Sequence, residues 1–252
     1  MRQRQQLLSA LLNLKRGNRL ALVGGGGKTS ILYTLAGENL LGLGLYTTTT
    51  KMFDPTMENH PFHRLLTDWQ GEDCPVPESE AESCFVAAGR IPGDNPKVQG
   101  LSNKRIESWK SLEVWPILVI EADGAAGRPV KAPREGEPVI PGSVNRVLGC
   151  IGLDALGKKI ESPWVHCSDL FQKRFCRREQ KRVDPECLLE LIRHPEGLFQ
   201  NAPKGAEKTV VFNKTDCLDS RYEIDLLLDR FRQEIPSINF LGVSLKLNLF
   251  RT

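Results

Sequence analysis

Short apolar runs alternate with amphipathic segments along most of this chain. An apolar run bounded by Gly, Pro or polar clusters predicts a buried strand, because a strand covered on both faces has no polar side to expose. Apolar residues spaced three and four apart predict helices with one buried face. The predicted strands cover residues 20–23, 42–48, 84–88, 115–121, 146–151, 209–212 and 238–245. The predicted helices cover residues 103–112, 168–177, 185–194 and 220–233, besides one that follows the first strand.

This alternation indicates the overall fold class. Strands and helices that follow one another in turn are typical of a doubly wound α/β fold with a mostly parallel sheet. We expect a single domain over residues 1–252, with an N-terminal helix over residues 1–15 and a helical insertion near residues 165–205. No internal repeat and no Gly/Ser-rich linker divides the chain.

The junction between the first strand and the next helix reads VGGGGKTS. Glycines permit positive φ and bring backbone N–H groups close to an anion, while the following helix points its positive end at the same place. A triphosphate suits this turn: Lys28 would reach the β- and γ-phosphates, and the Thr29 hydroxyl, with Ser30 as a substitute, would ligate Mg²⁺. The predicted fold is therefore of P-loop nucleotide-binding type. The predicted cradle for the phosphates consists of Gly24, Gly25, Gly26, Gly27, Lys28, Thr29 and Ser30.

The spacing of this loop departs from the common pattern. G-x-x-x-x-G-K-[ST] would place its first glycine at position 22, which is Leu22. The loop is a shortened G-x-x-G-K-T form, closer to that of the Mur-type ATP-dependent ligases than to that of the common GTPases. The alternative is a glycine-rich turn with an ordinary surface lysine. The coincidence of strand, glycine run, Lys-Thr and helix favours the phosphate site.

Two other strand ends carry residues suited to this chemistry, and ligands of such sheets lie at the carboxyl ends of strands. The second strand ends in a threonine run, in which Thr48 and the following Lys51 could contact phosphate or order Mg²⁺ and its waters. The alternative there is a strand edge with a surface lysine. Glu121 and Asp123 follow the strand over residues 115–121. We expect them to hold Mg²⁺ or position water, although one of them could instead cap a turn.

Cations and a possible base-recognition motif follow later in the chain. Arg128 and Lys131 lie on a proline-rich loop and could steady a transferred phosphate or hold an acidic substrate. Asn213 and Asp216 belong to an N-K-T-D segment at a strand end. In GTPases the Asp of such a motif accepts hydrogen bonds from guanine. The alternative is a polar strand terminus.

Composition and charge restrict the kind of protein. A net charge of +3 is too small to indicate nucleic acid as the main partner. A basic run over residues 173–182 is either a solvated face or a docking patch for an acidic partner. The seven cysteines form no C-x-x-C pair and match no zinc spacing, so we expect reduced thiols in a cytoplasmic protein. No long apolar span predicts a membrane segment, and we expect no membrane partner.

Together these segments resemble the YqeC family, described as selenium-dependent hydroxylase accessory proteins. The matching segments keep their order across residues 20–216: VGGGGKTS, TTTTKM, VIEADGAAGRPVKAP with EPVIP, GCIGLDALGK with VH, HPEGLFQNAP and FNKTD. The resemblance implies nucleotide binding and a role in maturing molybdenum-containing hydroxylases, with such a hydroxylase or molybdopterin cofactor as partner. It implies no particular catalytic step. The family's loop usually reads G-A-G-G-K-T, so Gly25 is a departure expected to make the loop more flexible.

The sequence therefore predicts a Mg²⁺-dependent nucleoside-triphosphate-binding protein, acting as an NTPase or a nucleotide-dependent transferase. Two alternatives stay open: an ATP-dependent ligase or kinase of a small acid, and a nucleotide-gated chaperone or cofactor carrier without fast turnover. The expected nucleotide is ATP or GTP, and the family resemblance leaves cytidine nucleotides possible. The residues expected to carry catalysis are Lys28, Glu121, Asp123, Arg128 and Lys131.

Overall fold

The computed structural model describes residues 7–218 and 221–251. Within them the helices are α1 (Leu8–Leu11), α2 (Lys28–Glu38), α3 (Asn103–Ser108), α4 (Ser168–Phe175), α5 (Pro185–Arg193) and α6 (Arg221–Glu234). The strands are β1 (Asn18–Gly24), β2 (Leu43–Thr48), β3 (Met52–Phe53), β4 (Arg64–Leu66), β5 (Glu82–Val86), β6 (Gly89–Ile91), β7 (Lys97–Gln99), β8 (Ile117–Glu121), β9 (Val130–Lys131), β10 (Arg146–Gly152), β11 (Val165–His166), β12 (Glu207–Asn213), β13 (Asn239–Ser244) and β14 (Leu249–Arg251).

The strands build one large sheet and two small ones. The large sheet has the order β14-β13-β12-β10-β1-β8-β2-β5-β4. Its pairs β4–β5, β2–β5, β2–β8 and β12–β13 are parallel, whereas β14 runs antiparallel to β13. Strands β9 and β11 form a separate parallel pair, and β3, β7 and β6 form a small antiparallel sheet. The predicted α/β class with a mostly parallel sheet is confirmed.

The contacts of the chain group it into two compact units. The first unit comprises Met1–Ala21, Thr29–Ala122 and Val139–Arg146. The second unit comprises Leu22–Lys28, Asp123–Pro138 and Val147–Thr252. One of the points where the chain passes between the units falls within the VGGGGKTS segment, between Lys28 and Thr29.

Each unit has its own aromatic cluster. In the first unit the ring of Phe62 packs against Tyr33, Tyr46 and Phe85, with centroids 5.4, 5.5 and 5.2 Å away. These are separations at which aromatic rings attract one another. In the second unit three rings contact one another at 5.0 to 6.2 Å: Phe212, Phe231 and Phe240.

Helices α4 and α5 lie where the helical insertion is predicted. Asp184 caps α5 by accepting a hydrogen bond from the Cys187 N–H, and Pro185 occupies the first turn. The apolar positions of this helix are buried. Helix α4 is shorter than predicted, because Cys176 is already extended after Phe175.

Two other predicted helices differ from the structure. The helix predicted over residues 103–112 ends at Ser108, where Trp109 turns extended and becomes buried. The helix predicted over residues 1–15 ends at Leu11, and Asn13 takes a left-handed φ of 49°. Residues 1–6, and residue 220 at the predicted start of α6, lie outside the described residues. No described helix combines the length and the apolar character needed to cross a membrane.

Candidate functional site

The glycine run makes a tight turn between β1 and α2. Gly24, Gly26 and Gly27 have φ angles of 86°, 68° and 103°, which residues with a Cβ rarely adopt. A Cβ on Gly25 would lie 2.5 Å from the Pro129 carbonyl oxygen. The backbone of residues 128–129 thus leaves no room for a Cβ at Gly25. The greater flexibility expected from its departure from the family pattern stays a prediction.

Protein acceptors already hold the first three glycine amides. The N–H of Gly24 donates to Asp123 Oδ2 at 3.1 Å, and those of Gly25 and Gly26 donate to backbone carbonyls at 3.0 Å. The first amides of a helix have no intrahelical acceptor and carry partial positive charge. An anion at this turn therefore has the amides from Gly27 onward as its donors, and not those of the whole glycine run.

Lys28 lies folded back over the turn in the second unit. Lys28 is 5% exposed, and its Nζ donates to the Gly24 carbonyl oxygen at 2.5 Å. Its charge also acts on the Asp123 carboxylate and lowers the energy of the charged form. To contact a phosphate, this ammonium would exchange the Gly24 carbonyl for a phosphate oxygen.

A second buried lysine neutralises two carboxylates in the same unit. Lys131 Nζ contacts Asp123 Oδ1, and it lies 2.7 Å from Glu137 Oε2. Its side chain has no exposed surface. The structure therefore places Lys131 in a buried ion-pair cluster, and not on a surface open to an acidic substrate.

The pKa values in this cluster reflect burial and charge together. Burial raises the pKa of Asp123 above its ordinary value, although Lys28, Lys131 and the Gly24 amide oppose that rise. Burial acts on Glu137 in the same direction, but the hydrogen bonds and charges of Lys131 and Arg134 outweigh it and lower its pKa. The net effect thus disfavours the charged form of Asp123 and favours that of Glu137.

A threonine and a glutamate that the sequence assigns to Mg²⁺ lie together in the first unit. Thr29 Oγ1 donates to Glu121 Oε2 at 2.9 Å, and Glu121 is 6% exposed. The Thr48 hydroxyl donates to the Glu121 carbonyl oxygen at 2.9 Å, so it secures the strand end. Within residues 7–218 and 221–251, no group of three or more His, Cys, Asp or Glu side chains is arranged to hold a metal.

Three other predicted site residues have side chains that are exposed or that contact other groups. Ser30 and Lys51 are exposed. The Arg128 guanidinium donates to Ser162 Oγ at 3.1 Å and lies 3.4 Å from His166 Nδ1. The side chain of Arg128 therefore lines a neighbouring pocket, while its carbonyl braces the glycine turn.

The N-K-T-D segment connects directly to the glycine turn through its first residue. Asn213 is buried, and its Nδ2 donates to the Gly26 carbonyl oxygen at 2.8 Å. Asp216 accepts a hydrogen bond from Ser244 Oγ at 2.6 Å. The structure thus brings Asn213 to the turn and places Asp216 against β13.

Sequence reasoning missed Glu137 and Asp154, and it considered His166 only for a metal site with two cysteines, which the spacing did not favour. Glu137 is the second partner of Lys131, and Asp154 Oδ2 pairs with Lys214 Nζ at 2.6 Å. His166 adjoins Arg128. The only signal for them in the sequence is that each falls in a segment shared with the family, because none has a spacing that indicates its partner.

These features define an α/β protein with a large, mostly parallel sheet and a glycine-rich turn between its first strand and the following helix. The chain belongs to the YqeC family, since the family model described as YqeC protein matches residues 20–169. It is 32% identical over 236 residues to the "Uncharacterized protein YqeC" of Escherichia coli (strain K12). The aligned region covers 89% of this chain and 87% of that protein. No solved structure matches the chain. The resemblance inferred from the motifs is confirmed.

Proposed function

We propose that this protein is a Mg²⁺-dependent nucleoside-triphosphate-binding protein of P-loop type. It acts as an NTPase or nucleotide-dependent transferase that assists the maturation of molybdenum cofactor or of a molybdenum hydroxylase. The observation that carries the nucleotide part is the strand–glycine turn–helix junction with Lys28 buried at its centre. The molybdenum part rests on the family resemblance.

The described contacts support a separate role for each of four side chains. Lys28 would neutralise the β- and γ-phosphates. The Thr29 hydroxyl and the Glu121 carboxylate form an oxygen donor set, which suits a hard cation such as Mg²⁺. Bound Mg²⁺ would supply charge neutralisation for the phosphates. Asp123 fixes the turn through the Gly24 amide and is held in place by Lys131.

A nucleotide screen tests the proposal. Equilibrium binding of ATP, GTP and CTP, each with and without Mg²⁺, should show that at least one triphosphate binds more tightly with the metal. Phosphate release by the same complex separates an NTPase from a carrier without turnover, and stimulation by a small acid indicates a ligase or kinase. The proposal fails if none of the three nucleotides binds under either condition.

We expect Glu121→Gln to reduce the gain in nucleotide affinity that Mg²⁺ provides by about tenfold, the size of one charge-assisted contact. Glutamine keeps an oxygen that Thr29 can donate to, so the fold should be unchanged. Asp123→Asn should also reduce Mg²⁺-dependent binding. Calorimetric titration with and without Mg²⁺ measures the effect, with the exposed Asp94→Asn as the control. An equal gain from Mg²⁺ in wild type and in both site variants would sink the metal assignment.

Base preference is the expected role of Asp216. If its carboxylate accepts hydrogen bonds from guanine, Asp216→Asn should shift the affinity ratio of XTP to GTP by about tenfold towards XTP. Competition binding with GTP, XTP, ATP and CTP measures the ranking. Ser244→Ala is the control, because it removes the hydroxyl that Asp216 contacts while keeping the carboxylate. The same ranking before and after the aspartate substitution would leave the segment as a polar strand end.

A further inference from the structure

An open pocket of about 480 Å³ lies in the second unit. Arg128, Arg134, Ser162 and His166 line it together with the beginning of α4. His166 belongs to the small parallel pair β9–β11, in which it is paired in register with Lys131. The side chain of Lys131 itself is buried against Asp123 and Glu137 and does not line the pocket.

The charges around this pocket are predominantly positive. Within residues 7–218 and 221–251, neither the Arg128 nor the Arg134 guanidinium forms an ion pair with a carboxylate. One acidic side chain, that of Asp169, also lines the pocket. Burial lowers the pKa of His166, and the charges of Lys131, Arg134 and Arg128 lower it further, whereas the charge of Glu137 opposes this shift. The neutral ring can then accept from the Arg128 guanidinium, which leaves other guanidinium N–H groups for a ligand.

Backbone donors complete one wall. Ser168, Asp169 and Leu170 form the first turn of α4 and all line the pocket. Their amides have no intrahelical acceptor by helix geometry. Cys167, the residue before the helix, has a left-handed φ of 58°, and its side chain makes no capping bond. The donors of this turn are thus not occupied by the usual side-chain cap.

We propose that this pocket binds the phosphate group of a small phosphorylated ligand, at a site separate from the glycine turn. Two guanidinium groups can each bind phosphate oxygens in the planar, bidentate manner typical of arginine. The amides at the start of α4 add N–H donors that carry partial positive charge. None of the residues that line the pocket is Lys28 or a glycine of the turn. The proposal therefore goes beyond nucleotide binding and does not require it.

Calorimetric titration with inorganic phosphate tests the site in the full chain. We expect Arg134→Gln and Arg128→Gln each to weaken phosphate binding at least about tenfold, the loss of one charge-assisted contact. The exposed Arg178→Gln is the matched control and should bind as wild type does. Lys28→Ala distinguishes the two sites, because Lys28 does not line this pocket: the phosphate binding that remains in this variant should still be lost when either arginine is replaced.

The outcomes separate the two phosphate sites. Loss of phosphate binding in Lys28→Ala, with full binding in both arginine variants, would show that phosphate occupies the glycine turn and would overturn the proposal. Absence of phosphate binding to wild type at millimolar concentration would overturn it as well. If the protein binds nucleotide but inorganic phosphate does not bind in the pocket, the pocket proposal fails and the function proposed above still stands.

A second readout uses the thiol in the wall of the pocket. Phosphate should slow alkylation of Cys167 by iodoacetamide, followed by mass spectrometry of the modified peptide. The exposed Cys217 serves as the reference thiol in the same molecule, and phosphate should leave its rate unchanged. Equal rates at Cys167 with and without phosphate, or equal slowing at both cysteines, would contradict occupation of this pocket.

Discussion

Replacement of Lys131 by methionine is expected to lower the free energy of unfolding by about 3–5 kcal/mol, the cost of removing one partner from a buried ion pair. The methionine fills a similar volume but leaves Asp123 and Glu137 without their shared cation. Asp123 is the more sensitive of the two, because it is buried and its pKa is already raised. Urea unfolding followed by circular dichroism measures the change.

A control and a compensated variant make this result specific. The exposed Lys104→Met should change the unfolding free energy by less than about 0.5 kcal/mol, as surface substitutions usually do. Combining Lys131→Met with Asp123→Asn and Glu137→Gln removes the charges together and should recover a large part of the loss. Unfolding of Lys131→Met at the wild-type urea midpoint would contradict the assignment of Lys131 as the partner of both carboxylates.

Lys28→Ala is expected to weaken triphosphate binding by about 1.5–3 kcal/mol, or roughly 10- to 150-fold in Kd. The ammonium is the cation of the glycine turn, and no neighbouring amide replaces its charge. The nucleoside monophosphate should lose far less affinity, because it lacks the β- and γ-phosphates. Calorimetric titration with both ligands measures the difference.

Stability must be measured beside affinity for this variant. Lys28 is buried and donates to the Gly24 carbonyl, so its removal can also loosen the turn. Lys28→Met keeps the aliphatic stem and separates the loss of charge from the loss of packing. The exposed Lys104→Ala is the matched control. A folded Lys28→Met that binds the triphosphate as tightly as wild type would show that the glycine turn is structural.

The sequence was sufficient to predict the elements whose conformation is determined by local residue patterns. Buried apolar strands such as β8 and the capped helix α5 lie close to their predicted bounds, because apolar runs and an Asp-Pro start act locally. The C-terminal ends predicted for α3 and α4 were wrong, because both helices end earlier than predicted. Tertiary packing decides the end of α3, where Trp109 leaves the helix and becomes buried. No local pattern contains that information.

The candidate site divides in the same way. The glycine turn and the pairing of Thr29 with Glu121 follow from motif and strand position. The position of Lys131 could not be inferred, because its partner Glu137 and the burial of both depend on how a proline-rich loop folds back. Arg128 is predicted to steady a transferred phosphate or hold an acidic substrate, and the contacts of its side chain with Ser162 and His166 could not be inferred. The side-chain direction of a loop arginine has no sequence signal.

The measurement that tests the central claim most directly is a calorimetric titration of the wild-type protein with Mg²⁺-bound triphosphate and with the matching nucleoside. Binding through the glycine turn predicts that one triphosphate binds at a single site per chain. It also predicts that the nucleoside, which has no phosphates, binds much more weakly. No heat of binding with Mg²⁺-bound ATP, GTP or CTP, or equal affinity for triphosphate and nucleoside, would contradict the account.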